Sequence, residues 1–220
     1  QFAAGEDLAD YPRSVENDLK LLAAAEVDLV FMPATDEIYP ADCTTTVKPP
    51  TVARKLEALS RPTHFEGVAT IVLKLLNMTQ CDVAFFGQKD YQQFLVVRHM
   101  VRDLNLSTEI VVCPVVRDAE GLALSSRNVY LSAAEHNIAL SLNRTLRETA
   151  RMIEQGETDG RAIMAHMTQA LIEGGVTETD YAVIAHADTL ELLEEVASPA
   201  VLLVAARVGE TRLIDNLLIE

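Results

Sequence analysis

The chain has 220 residues, 49% of them hydrophobic and 23% charged, the balance of a globular protein of one large domain or a medium domain with a small companion, and not of a disordered or fibrous one. Eighteen Lys and Arg against thirty-three Asp and Glu leave a net charge of −15, which disfavours sequence-independent binding to nucleic acid or to an anionic membrane surface. Three cysteines without a C-x-x-C pair exclude a zinc ribbon or a thioredoxin motif and suit a reducing compartment, so a cytoplasmic location is expected.

The chain opens on Gln1-Phe2-Ala3-Ala4-Gly5 with neither a basic n-region nor an apolar h-region, and nowhere does an apolar run reach the roughly 18 residues of a membrane span. This opening reads as the middle of a loop, with a further segment expected upstream. Residues 25–33 follow a helical stretch and end in Pro33, as a short buried strand would. Thr44-Thr45-Thr46-Val47 is a β-branched run ahead of Pro49-Pro50, which predicts an edge strand open to a partner and, with it, a two-fold dimer.

Next come a helix over 68–78, a strand over 82–86, a helix over 90–104 and a strand over 110–113. In the second helix Phe94, Val97, Val101 and Leu104 recur at gaps of three and four, the stripe of a half-buried helix. The strands are continuously apolar, as in Val83-Ala84-Phe85-Phe86, which suits parallel strands covered on both faces. Strand, helix, strand makes a βαβ unit.

The pattern changes after Val116. Ser132-Ala133-Ala134-Glu135 is a capping box opening a long helix that Gly156 stops, and a second helix runs from Asp159 to Glu173. Strands are predicted over 181–185, 201–208 and 212–219, the last two joined by Gly209-Glu210, a Gly-X pair suited to a type II′ hairpin. The expected architecture is therefore an α/β domain over 1–115 and a small α+β domain with an antiparallel sheet over 116–220.

Several signatures are absent: there is no G-x-G, no G-K, no H-x-x-x-H and no G-x-S-x-G, which removes the dinucleotide fingerprint, the P-loop, helical zinc spacing and the nucleophile elbow. From Arg54 to Arg127 nine Lys and Arg meet eight Asp and Glu, whereas the rest of the chain is net −16. Cations gathered there suit an anionic substrate, although a solvated acidic surface elsewhere produces the same imbalance. Lys89, between strand and helix, opposes the helix dipole, so local stability does not account for it. Ser125, Ser126 and Arg127 bring two hydroxyls and a guanidinium suited to phosphate oxygens, and Arg61 and His64 stand just before a helix. Polar turns have the same composition.

Three stretches decide between these readings: Arg61-Pro62-Thr63-His64-Phe65-Glu66-Gly67-Val68, Phe86-Gly87-Gln88-Lys89-Asp90-Tyr91-Gln92-Gln93 and Asp118-Ala119-Glu120-Gly121-Leu122-Ala123-Leu124-Ser125-Ser126-Arg127-Asn128. Together with Asp7-Leu8-Ala9-Asp10-Tyr11-Pro12-Arg13 and the ending Arg212-Leu213-Ile214-Asp215-Asn216, they closely resemble the pantothenate synthetase (pantoate and β-alanine ligase) family along the whole chain. The resemblance implies a nucleotidyltransferase-type Rossmann-like domain followed by a smaller C-terminal domain, in a cytoplasmic homodimer. It also implies ATP-dependent condensation of pantoate with β-alanine through a pantoyl adenylate, with Mg²⁺ and release of AMP and pyrophosphate.

By resemblance, Gly87, Gln88, Lys89, Asp90, Val116, Leu124, Ser125, Ser126 and Arg127 contact ATP, with Lys89, Ser125, Ser126 and Arg127 stabilising charge during the reaction. Gln93, Arg61 and His64 line the pantoate pocket, and Gln1 touches pantoate and β-alanine. The chain differs from the family in Gln88, where Glu is usual, and in containing neither the H-x-G-H signature nor the first strand of the Rossmann sheet. A non-catalytic C-terminal fragment retaining dimerisation or weak ligand binding is the alternative, and a related nucleotidyltransferase using another acid and amine is a third reading.

Overall fold

The computed structural model describes residues 11–219. Two short helices, α1 (Val15–Ala24) and α2 (Thr35–Ile38), lead to α3 (Glu57–Ser60) and the long α4 (His64–Thr79). Then β1 (Val83–Gly87), α5 (Tyr91–Asp103) and β2 (Glu109–Cys113) form the βαβ unit, with β1 and β2 parallel from Val83 beside Glu109 to Gly87 beside Cys113.

The C-terminal half follows as α6 (Ala133–Glu154), α7 (Gly160–Glu173), β3 (Glu178–His186), β4 (Ala200–Val208) and β5 (Thr211–Ile219). The three strands form an antiparallel sheet in the order β3-β4-β5. Ser132 caps α6 with the predicted box: its Oγ accepts from the Glu135 N–H, and the Glu135 carboxylate accepts from the Ser132 N–H. Gly209 adopts a φ of +56°, while Glu210 keeps an ordinary negative φ. That combination is the type II′ pattern, not type I′.

The side chains of β4 alternate between two cores. Val201 and Leu203 join a core built on α4, α5 and residues 52–56, whereas Leu202, Val204 and Ala206 join one built on α6 and α7. This is why residues 201–208 are almost uniformly apolar although the strand is antiparallel: both faces of the sheet are covered. The sheet belongs to both cores and carries the two halves of the chain on its opposite faces.

Three expectations are corrected. Residues 27–33 form no strand, and Leu29 and Phe31 are 81% and 50% exposed. An apolar run becomes a strand only where a neighbouring backbone accepts its hydrogen bonds, and the parallel sheet of the described residues ends at β1 and β2. Nor is β1 covered on both faces: Ala84 and Phe86 pack on the first core, while Val83 and Phe85 are exposed. Residues 44–47 also form no strand. That segment lies along α4, where the Val47 N–H donates to Thr70 Oγ1 at 2.9 Å.

Candidate active site

The βαβ crossover places the start of α5 at the carboxyl end of β1, where open α/β sheets bind ligands. Gln88, Lys89 and Asp90 form a 3₁₀ turn there, leading into α5. A second turn, Ser126–Tyr130, is capped by Ser125, whose Oγ accepts from the Arg127 N–H at 3.2 Å. Arg61 and His64 close α3 onto α4, with Arg61 Nη1 and His64 Nε2 3.2 Å apart. These pieces, separated in sequence, meet β5 around a cleft of about 1430 Å³.

The cleft wall contains Arg61, His64, Lys89, Asp90, Gln93, Ser125 and Arg127, so seven of the residues singled out in the sequence converge. Five others do not line it. Val116 is exposed, and its carbonyl accepts from the Leu124 N–H at 2.9 Å, so these two residues face each other across a small loop. Ser126 Oγ accepts a hydrogen bond from the Tyr11 hydroxyl. Gln88 turns its amide to Asn216, and Gly87 has open space where a Cβ would stand. Gln1 lies outside the described residues.

A buried ion-pair network of the cleft joins Arg212, in the ending that marks the family, to partners the sequence did not single out. Arg212 on β5 donates to both oxygens of Glu57 on α3, at 2.8 and 2.9 Å, and its Nε donates to Asp180 at 2.5 Å. The Tyr181 hydroxyl donates to Glu57 at 2.6 Å. Burial by itself would raise the Glu57 carboxyl, but the hydrogen bonds and charge of Arg212 outweigh it and leave the pKa lowered. Burial, with the Glu57 charge, pushes the Tyr181 phenol well above its usual value and keeps it a donor.

Arg212 is thus neutralised by two carboxylates. Lys89, by contrast, has no acidic partner among the described residues, so its charge faces the cleft uncompensated. A lysine, a hydroxyl and an arginine around a space of this size can hold a polyphosphate.

Residues 1–218 match the family model described as Pantoate-beta-alanine ligase. The chain belongs to the pantoate-beta-alanine ligase family. Among relatives of this ligase family, the pantothenate synthetase of Moorella thermoacetica is 48% identical over all of the chain and 78% of that protein's length, and that of Chloroflexus aurantiacus is 48% identical over 79% of its length. The crystal structure of pantothenate synthetase from Thermus thermophilus superposes with a TM-score of 0.95 at 44% identity, covering 99% of this chain and 79% of that one. The pantoate-beta-alanine ligase of Francisella tularensis, solved in complex with beta-gamma ATP and beta-alanine, gives a TM-score of 0.74 at 32% identity, covering 96% of this chain and 72% of that one. The chain is therefore a ligase of this family, with the parallel and antiparallel sheets in the same arrangement.

Proposed function

We propose that the cleft between α4, the start of α5 and β5 joins pantoate to β-alanine at the expense of ATP, with Lys89, Ser125 and Arg127 holding the phosphates from its wall and Ser126 assigned to them by the family resemblance. The carrying observation is the convergence of Lys89, Ser125 and Arg127 with Arg61, His64 and Gln93 on one cleft, in a chain that matches the ligase family along its length.

In the first step a pantoate carboxylate oxygen attacks the α-phosphorus; its O–P bond forms as the bond to the β-phosphate oxygen breaks, and pyrophosphate leaves. Two anions must approach, so fixed donors and cations at the phosphate oxygens lower the barrier without reorganising. In the second step the β-alanine amine attacks the acyl carbon, the C–N bond forms, the C–O bond to phosphate breaks, AMP leaves and the nitrogen gives up its proton. Gln93 suits a pantoate contact because an amide meets both hydroxyl and carboxylate without adding charge. Arg61 supplies a cation for the acid, and its Nη1 donates to the His64 imidazole beside it. By the family resemblance Gly87, Gln88, Asp90, Val116 and Leu124 are assigned to the nucleotide as well, although of these only Asp90 lines the cleft, and Gln1 is assigned to both smaller substrates.

Among the described residues no group of three or more His, Cys, Asp or Glu could hold a metal ion. A Mg²⁺ ion that binds chiefly through phosphate oxygens and one or two carboxylates needs no such cage. Asp90, which makes no capping hydrogen bond to α5 and borders the cleft beside Lys89, would supply the carboxylate. When bound, the ion would offset the charge of the phosphates.

The same reading makes the protein a cytoplasmic homodimer without nucleic-acid or membrane partners. Its net charge of −15 supports the lack of polyanionic partners, and the homodimer rests on the family resemblance, since the exposed residues 44–46 form no edge strand. No helix among the described residues is long and apolar enough to cross a membrane.

Pantoate-dependent release of pyrophosphate from ATP, followed by β-alanine-dependent release of AMP, is the expected result for the full-length protein. Absence of the first in a folded preparation would overturn the reading.

A further inference from the structure

We infer that Asp215 and Asn216 are positioning residues, which lock the Gln88 and Lys89 turn and the 117–125 loop into one fixed relation across β5. The inference rests on the assignment of Lys89 to the phosphates and extends it to residues that need not touch a substrate.

Neighbouring side chains on a strand leave opposite faces of the sheet. Asn216 pairs with Leu203, which belongs to the first core, and Asp215 pairs with Val204, which belongs to the second. Two consecutive residues therefore reach two different halves of the molecule. On the first side, the Asn216 amide donates to the carbonyl oxygens of both Gln88 and Lys89 at 2.9 Å, while its Oδ1 accepts from Gln88 Nε2 at 3.1 Å. On the second side, the Asp215 carboxylate accepts from Arg117 Nη1 at 2.6 Å and Nη2 at 2.9 Å, and Arg117 Nη1 also donates to the Gly121 carbonyl at 3.2 Å. The Asn216 backbone N–H donates to Asp215 Oδ1 at 2.8 Å and joins the two halves.

Both residues are nearly sealed from water, at 3% and 1% exposure. An apolar pair would fill a core position at lower desolvation cost, and a buried polar pair persists only where every group is satisfied. Here the Asn216 amide holds two backbone carbonyls of the Lys89 turn, and Asp215 holds the guanidinium of Arg117 at the base of the loop that carries Ser125. The carbonyl of Lys89 itself is held, so the root of its side chain is fixed while the ammonium stays without an acidic partner. Displacement by about 1 Å at a reacting centre costs on the order of 100-fold in rate, so this clamp would act on turnover more than on binding.

The test uses the full-length protein and three variants, Asn216→Ala, Gln88→Ala and Lys89→Ala. Pantoate-dependent pyrophosphate release is measured well below each variant's unfolding midpoint. Asn216→Ala is expected to lower kcat by about 10- to 100-fold with the KM for ATP and pantoate changed far less. Gln88→Ala removes one of the three bonds without touching β5 and is expected to give a smaller loss in the same direction. If both variants keep kcat within twofold of the parent while Lys89→Ala abolishes turnover, the positioning role is overturned and the site assignment stands. If Lys89→Ala keeps normal kcat, the site assignment itself fails. Should Asn216→Ala not fold, Asn216→Ser and Gln88→Ala decide the matter by the same split.

Discussion

Arg212 grips both carboxylate oxygens of Glu57 from 155 residues away in the chain, and this pair joins the segment just before Arg61 to the hairpin that closes the sheet. Its side chains are 19% and 8% exposed, so it is largely desolvated. Removing one partner of a buried pair leaves an uncompensated charge, at a cost of about 3–5 kcal/mol. Arg212→Met is therefore expected to lose that much stability in urea or guanidinium titrations, because Glu57 and Asp180 both lose their cation. A loss under about 1 kcal/mol would place the pair in the weak class of exposed bridges.

The same pair sets an acid limit. The Glu57 carboxyl is held below its ordinary value of 4.5, so its contribution to stability is fully present above that pH and disappears as the pH falls through the lower folded-state value. Comparing the parent with Glu57→Gln from neutral pH downward, the stability gap should stay constant and then narrow below pH 4.5. A gap that widened on acidification would contradict the sign of the shift.

Lys89 sits at the entrance of α5, where a cation opposes the helix dipole. Lys89→Ala is thus expected to leave stability unchanged or raised by about 0.3–1 kcal/mol. Its turnover should fall by about 10²- to 10³-fold if the ammonium stabilises developing phosphate charge. Paired measurements of kcat/KM and unfolding midpoint check both halves.

Gly160 begins α7 against the 193–195 segment. Its N–H donates to the Glu194 carbonyl at 2.8 Å, and a Cβ would clash with the Leu193 carbonyl oxygen. Gly160→Ala is expected to cost about 1–3 kcal/mol or more through overpacking, readable as a lowered melting temperature with the cleft chemistry intact. Gly87→Ala, with open space at its Cβ position, should fold normally.

Assembly is checked by sedimentation. If the protein pairs as proposed, the exposed Thr44, Thr45 and Thr46, although they form no strand, are expected at or near the contact, and Thr45→Pro should weaken the dimer. A full-length protein that is a monomer at micromolar concentration, or a dimer indifferent to this change, would remove the segment from the interface.

What the sequence determined by itself is what depends on near neighbours. The Ser132 and Glu135 box and the Gly209 turn act within a few residues, and each appears in the structure where local chemistry requires it. Apolar periodicity likewise placed α4, α5 and the five strands, and the long motifs around His64, Lys89 and Ser125 marked the family. Tertiary structure decided the rest, because pairing over long separations leaves no local trace. Residues 27–33 have strand composition, but their backbone finds no ladder among the described residues. Val116 and Leu124 lie next to each other yet off the cleft, since a short loop turns them to each other. Glu57 and Arg117 are ordinary polar residues in the sequence, and the stretch from Arg212 to Asn216 marks the family without showing its partners; the closing strand brings them together, and burial makes their charges and amides seek one another.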